Sequence, residues 1–78
     1  MEFLIERWVE EAGEYLNPAF GTGTAPEPGG DPVPSAFEDA EITMTGCYRV
    51  RPKADPEAAP VYYSMTLTGV ERRDVPCM

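Results

Sequence analysis

The residues of this 78-residue chain whose types could do chemistry are few, and their spacing favours binding over catalysis. Histidine is absent, and Cys47 and Cys77 are the only cysteines. A catalytic Cys-His pair, a Cys/His zinc site and a disulfide framework therefore all lack their residue sets, and the two cysteines read as structural thiols. Glu38, Asp39 and Glu41 gather carboxylates, which hard cations prefer, but without the loop glycine and alternating ligands of a calcium loop. The stretch Gly21-Thr-Gly-Thr-Ala-Pro26 places proline where a phosphate-binding GxGxxG loop needs its last glycine, and it follows an expected helix where that loop follows a strand. These residues predict no catalytic group, no metal site and no cofactor.

What remains is a pattern of charge and aromatic residues. Residues 1–41 hold ten acids and one base, Arg7, whereas residues 42–78 hold four acids and five bases. Glu2, Glu6, Glu10 and Glu14 recur every four residues. On a helix such like-charged pairs cost roughly 0.2–0.5 kcal/mol each, so the row reads either as a solvated face or as a docking surface for a basic partner. Arg49, Arg51, Lys53, Arg72 and Arg73 form the basic grouping. Arg49 and Arg51 share one predicted strand face, and Tyr62 joins them there as an aromatic anchor. The candidate partner-binding residues are Trp8, Glu6, Glu10, Glu14, Tyr62, Arg49 and Arg51. A formal charge of −8 disfavours nucleic acid and anionic membranes as partners of the whole chain. A protein with a basic or neutral surface fits better. The opening Met-Glu-Phe-Leu-Ile-Glu has neither the positive start nor the apolar length of a signal peptide or membrane span, and the expected location is cytoplasmic where the chain is synthesised, or virion-associated if it serves as a virion subunit.

The elements expected to position these residues fall into three segments. Residues 1–16 place Leu4, Trp8, Ala12, Tyr15 and their apolar neighbours within an arc of about 140° on a helical wheel, which predicts an amphipathic helix ending before Pro18. Residues 17–40 form a Pro/Gly-rich acidic arm, with five prolines and four glycines between Asn17 and Ser35, a composition that predicts no regular element. Residues 41–78 turn to a period of two and predict a β-hairpin region with a C-terminal extension, its strands near 41–51 and 60–70. The expected register sets Val50 opposite Val61, Gly46 opposite Met65 and Met44 opposite Leu67, with Trp8 packed over Gly46. The fold class that follows is α+β, made of one helix, one extended arm and one antiparallel hairpin forming a single small domain.

A chain this short buries only about 60% of the surface its unfolded form exposes, and a two-stranded hairpin is marginal in water. A partner or a second copy is therefore expected to complete the core. The function this implies is a non-enzymatic protein-protein interaction or assembly protein, working as a homo-oligomer or in a larger assembly. Small virion structural subunits of the cement, connector or adaptor kind share that architecture. The alternative is a small acidic inhibitor, such as an anti-CRISPR or DNA-mimic protein, that blocks a basic nucleic-acid-binding surface.

Overall fold

Residues 1–16 do not coil into a helix. In the computed structural model, which describes residues 1–24, 35–73 and 75–76, they supply strand β1 (Glu2–Val9) and the start of strand β2 (Glu14–Thr22), paired antiparallel. The reason lies in residue type. Phe3, Ile5, Trp8 and Val9 are aromatic or β-branched, types that fit a pleated strand better than a helix. The glutamates that would repel one another along a helix are separated instead. Val9 and Glu14 close the hairpin across residues 10–13, where Gly13 takes a left-handed φ of 65° and donates its N–H to the Val9 carbonyl at 2.9 Å. Glycine occupies that conformation without a Cβ penalty.

Three further strands complete the sheet: β3 (Gly46–Pro52), β4 (Val61–Thr66) and β5 (Gly69–Arg73). Among the described residues the five strands form one antiparallel sheet in the order β2-β1-β3-β4-β5, with a single short helix, α1 (Ser35–Asp39). The α+β expectation with its N-terminal amphipathic helix is thereby overturned, because the molecule is mostly antiparallel β. Strand β2 also enters the stretch where composition predicted no regular element. It does so through a bulge, in which Asn17 and Pro18 together face Glu6 between the Ile5–Ala19 and Arg7–Leu16 pairs. Asn17 adopts a φ of 57° there. Pro18 cannot donate to a ladder, and a bulge on an edge strand is where a sheet tolerates it.

The β3–β4 register sets Val50 opposite Val61 and Gly46 opposite Met65, as the alternation predicts. Met44 and Leu67 are not partners. Met44 precedes β3, and Leu67 lies in the two-residue turn that sends the chain back as β5, where Val70 pairs with Met65. Gly69, at a φ of 139°, follows that turn. Trp8 does not cover Gly46 either. That position is covered by Arg7, whose Cδ would stand 3.7 Å from a Cβ added there.

The core forms on one side of the sheet. Phe3 and Ile5 from β1, Tyr48 and Val50 from β3 and Tyr63 from β4 meet Ala36 and Phe37 of α1, all at or below 3% exposure. Phe37 is the knob of this packing. Its ring stands edge-on to Tyr48 and Tyr63, with centroids 5.6 Å away in each case, a favoured geometry for aromatic pairs. The helix ends with Glu41 at a φ of 57°, the Ile42 N–H bonded to the Phe37 carbonyl and the Glu41 N–H to the Glu38 carbonyl. This is a Schellman termination, usually built on glycine. The Cα radius of gyration is 11.4 Å, against about 11.5 Å for a compact chain of this length. The first segment is part of the sheet, and residues 25–34 of the arm expected over 17–40 lie outside the described residues.

Candidate functional site

Because strand side chains alternate, the residues between the core positions point to the opposite side of the sheet, which α1 leaves open. Leu4, Glu6 and Trp8 of β1 share this open face with Arg49 and Arg51 of β3 and with Tyr62 of β4. Tyr15, directly across from Trp8 in the ladder, joins them from β2. Trp8 and Tyr15 meet edge-on at 5.1 Å between centroids, and Tyr15 continues to Tyr62 at 6.0 Å. β4 lies three places along the sheet from β2, so the Tyr15 ring lies across the face instead of standing over its own strand. The guanidinium of Arg49 fills the space beneath it, its Cζ 4.6 Å from the Tyr15 ring centroid. Such a cation–π contact adds roughly 0.5–1 kcal/mol at an exposed site.

One carboxylate organises the charges. Glu6 Oε1 accepts from Arg49 Nε at 2.9 Å and from Arg51 Nη2 at 2.8 Å. Burial pushes the Glu6 carboxyl up, but hydrogen bonds and charge from Arg49, then from Arg51, outweigh it and hold the group below its ordinary range. Arg51 Nη1 donates to the Pro56 carbonyl at 2.8 Å and so ties the β3–β4 loop to the face, while its buried Nε has no hydrogen-bond partner among the described residues. At the rim, Lys53 Nζ lies 3.1 Å from Glu2 Oε1 and 4.9 Å from the ring centroid of Phe20, and Phe20 is 48% exposed. Arg73 Nη1 donates to Ser64 Oγ at 3.1 Å.

Five of the residues singled out from the sequence, Glu6, Trp8, Arg49, Arg51 and Tyr62, are thus gathered on one surface. Glu10 and Glu14 are not among them. Glu10 sits in the β1–β2 connection, and Glu14 opens β2 opposite Val9, both exposed. The acidic row that a helix would align is broken up by the strands. Sequence reasoning missed Tyr15, which it had assigned to the apolar arc of a helix, and Phe20 and Lys53, whose pairing depends on which strands become neighbours.

The other chemistry-bearing groups have structural duties. Asp39 Oδ2 accepts from the Thr22 N–H at 2.7 Å, and Gly21 packs against α1. Glu38, Asp39 and Glu41 do not converge, and no group of three metal-ligating side chains occurs among the described residues. Cys47 is disulfide-bonded, which overturns its reading as a free structural thiol. The alternation that places it on the open face gives no information about oxidation. Cys77 lies outside the described residues. Among the described residues no helix is long and apolar enough to cross a membrane. No family model, curated protein or solved structure matches this chain.

Proposed function

We propose that this chain is a non-enzymatic protein-interaction and assembly protein that associates with copies of itself through the open face of its sheet. The observation that carries this reading is the continuous cluster of Trp8, Tyr15, Arg49 and Tyr62 on the side of the sheet opposite α1. Tryptophan, tyrosine and arginine in a packed cluster are the residue types that dominate binding energy at interfaces. The two tyrosines and the tryptophan are half-buried among one another, and what they leave accessible is a pre-packed aromatic surface for a partner. A second copy suits it because the rim carries both signs, Lys53 and Arg73 beside Glu2 and Glu71. Two such faces related by a two-fold axis can set opposite charges against each other. Leu67, 97% exposed at the β4–β5 turn, adds an apolar tip. This is the kind of contact a small cement, connector or adaptor subunit of a virion would make. The acidic-inhibitor alternative rests on aligned glutamates, but Glu6 is neutralised between two arginines while Glu10 and Glu14 sit at the β1–β2 connection.

Sedimentation velocity on the full chain, from micromolar to submillimolar concentration and at low and high salt, tests the reading. Concentration-dependent association that changes little with salt is expected. It should weaken in Trp8→Ala and Tyr62→Ala variants that keep the far-ultraviolet dichroism of the parent. A monomer at every concentration, or association indifferent to both substitutions, overturns it.

A further inference from the structure

The helix side of the sheet, opposite the proposed interface, carries a second site. Between the β2 bulge and the segment leaving α1 lies a cavity of about 270 Å³. Ile5, Ala19, Ile42 and Tyr48 give it apolar walls, and Arg7 and Asn17 are polar groups on its lining. A cavity of about 150 Å³ suffices to hold a benzene molecule, so this one admits a ring together with a polar substituent.

Arg7 identifies the substituent. Arg49, Arg51 and Lys53 each have a carboxylate partner, whereas Arg7 has no ion pair among the described residues. It is half-buried, and its stem lies along β3 in the room left by Gly46. A partly desolvated guanidinium without a counter-ion, beside an apolar hollow, is a seat for an anion, and its planar fork matches a carboxylate. Tyr48 leaves that role to Arg7 because its hydroxyl already donates to the Met44 carbonyl. Two strained positions border the same cavity. Asn17 and Glu41, both at a φ of 57°, are the non-glycine residues with positive φ in the described chain, and they come from different elements. Residues held in such conformations cluster at ligand-binding sites. Glu41 also sets a limit, since it borders the cavity and its charge disfavours a doubly charged anion.

We infer that this cavity binds a small monocarboxylate with a short apolar or aromatic body, its carboxylate paired with Arg7 and its body against Ile5, Ala19 and Ile42. Benzoate is a suitable probe, with benzyl alcohol and inorganic phosphate as controls for the charge and for the ring.

The experiment is a nuclear magnetic resonance titration of the isotope-labelled full chain. Benzoate should give saturable shifts at Arg7 Nε, the Asn17 side-chain amide and the backbone of Ala19 and Ile42. The dissociation constant should be millimolar, as expected for a ligand of this size. Benzyl alcohol and phosphate should each bind roughly tenfold more weakly or worse, the loss that accompanies removal of one charge-assisted contact. Arg7→Gln should abolish the preference for benzoate over benzyl alcohol while leaving the strand resonances in place. Absence of saturable shifts with benzoate overturns the inference, as does equal affinity for benzyl alcohol or for phosphate. If Arg7→Gln does not fold, the comparison of the three probes on the parent chain decides alone.

Discussion

Gly21 lies so close beneath Ala36 that a Cβ added to the glycine would stand 1.9 Å from the Ala36 carbonyl oxygen and 2.9 Å from its carbonyl carbon. Both are backbone atoms of α1, which cannot swing aside as a side-chain tip would. The same contact brings the Asp39 carboxylate to the Thr22 N–H. Gly21→Ala is therefore expected to lift the helix off β2 and to cost about 3 kcal/mol, the upper end of the range for overpacked sites. Urea denaturation followed by the fluorescence of the single tryptophan, Trp8, measures it. A midpoint within error of the parent would show that the helix does not sit where the contact places it.

Glu6 predicts a pH dependence. Its carboxyl titrates below the ordinary range in the folded chain, because Arg49 and Arg51 outweigh the opposing effect of burial. The folded state therefore binds this proton less readily than the unfolded state. The stabilisation is complete above the unfolded value of about 4.3 and is lost as pH falls through the lower folded value. Glu6→Gln should destabilise the protein at neutral pH by about 1–3 kcal/mol, since it leaves two partly buried guanidinium groups without their shared counter-charge. The gap between parent and variant should then narrow on acidification toward pH 3. A constant gap across that window would remove Glu6 as the titrating group.

How much of this was legible in the sequence can be judged from two stretches. In the β3–β4 pair, Val50 and Tyr48 alternate with Arg49 and Arg51, apolar against charged, so the period of two and the register through Val61 and Met65 could be read directly. In β1 both faces carry apolar residues. Phe3 and Ile5 enter the core while Leu4 and Trp8 serve the open face, and such a two-sided run mimics the broad apolar arc of a helix. Gly13 and Asn17, both left-handed, are the local signals against a helix. Glu6, Trp8, Arg49, Arg51 and Tyr62 were legible one by one as residue types and not as a group, because a helix would set Glu6 and Trp8 on opposite sides. The contacts were not, because Glu6 lies 43 and 45 residues from its arginines and only the crossover that makes β1 and β3 neighbours joins them.

The end of α1 offers a stabilising substitution. Glu41 occupies the left-handed position of a Schellman termination with its side chain exposed. That conformation costs an L-residue roughly 1–2 kcal/mol, and glycine adopts it freely, less the extra entropy it loses on folding. Glu41→Gly should therefore raise stability by about 0.5–1 kcal/mol, read as a higher urea midpoint with an unchanged slope. A lower midpoint would mean that the Glu41 side chain makes a contact that outweighs its backbone strain.

Phe37 is where the short helix and the sheet depend on one another. A helix of five residues has no stability of its own, because nucleation is costly and few hydrogen bonds follow it. Ser35–Asp39 is held by what Phe37 and Ala36 bury, at 2% and 1% exposure. The sheet needs Phe37 in turn, since its ring covers Tyr48 and Tyr63 on neighbouring strands. Phe37→Ala is expected to cost about 3–5 kcal/mol, against a total of roughly 4–12 kcal/mol for a chain of this size at about 0.05–0.15 kcal/mol per residue. The variant should lose most of its near-ultraviolet dichroism as the tyrosines are released, and its unfolding should become broad and shallow. Phe37→Leu keeps most of the apolar volume while losing the edge-on ring contacts, so it should retain a cooperative transition with a loss of about 1–2 kcal/mol. If Phe37→Ala unfolds as sharply as the parent and at the same midpoint, the helix is an ornament on a self-sufficient sheet, and the shared core described here is wrong.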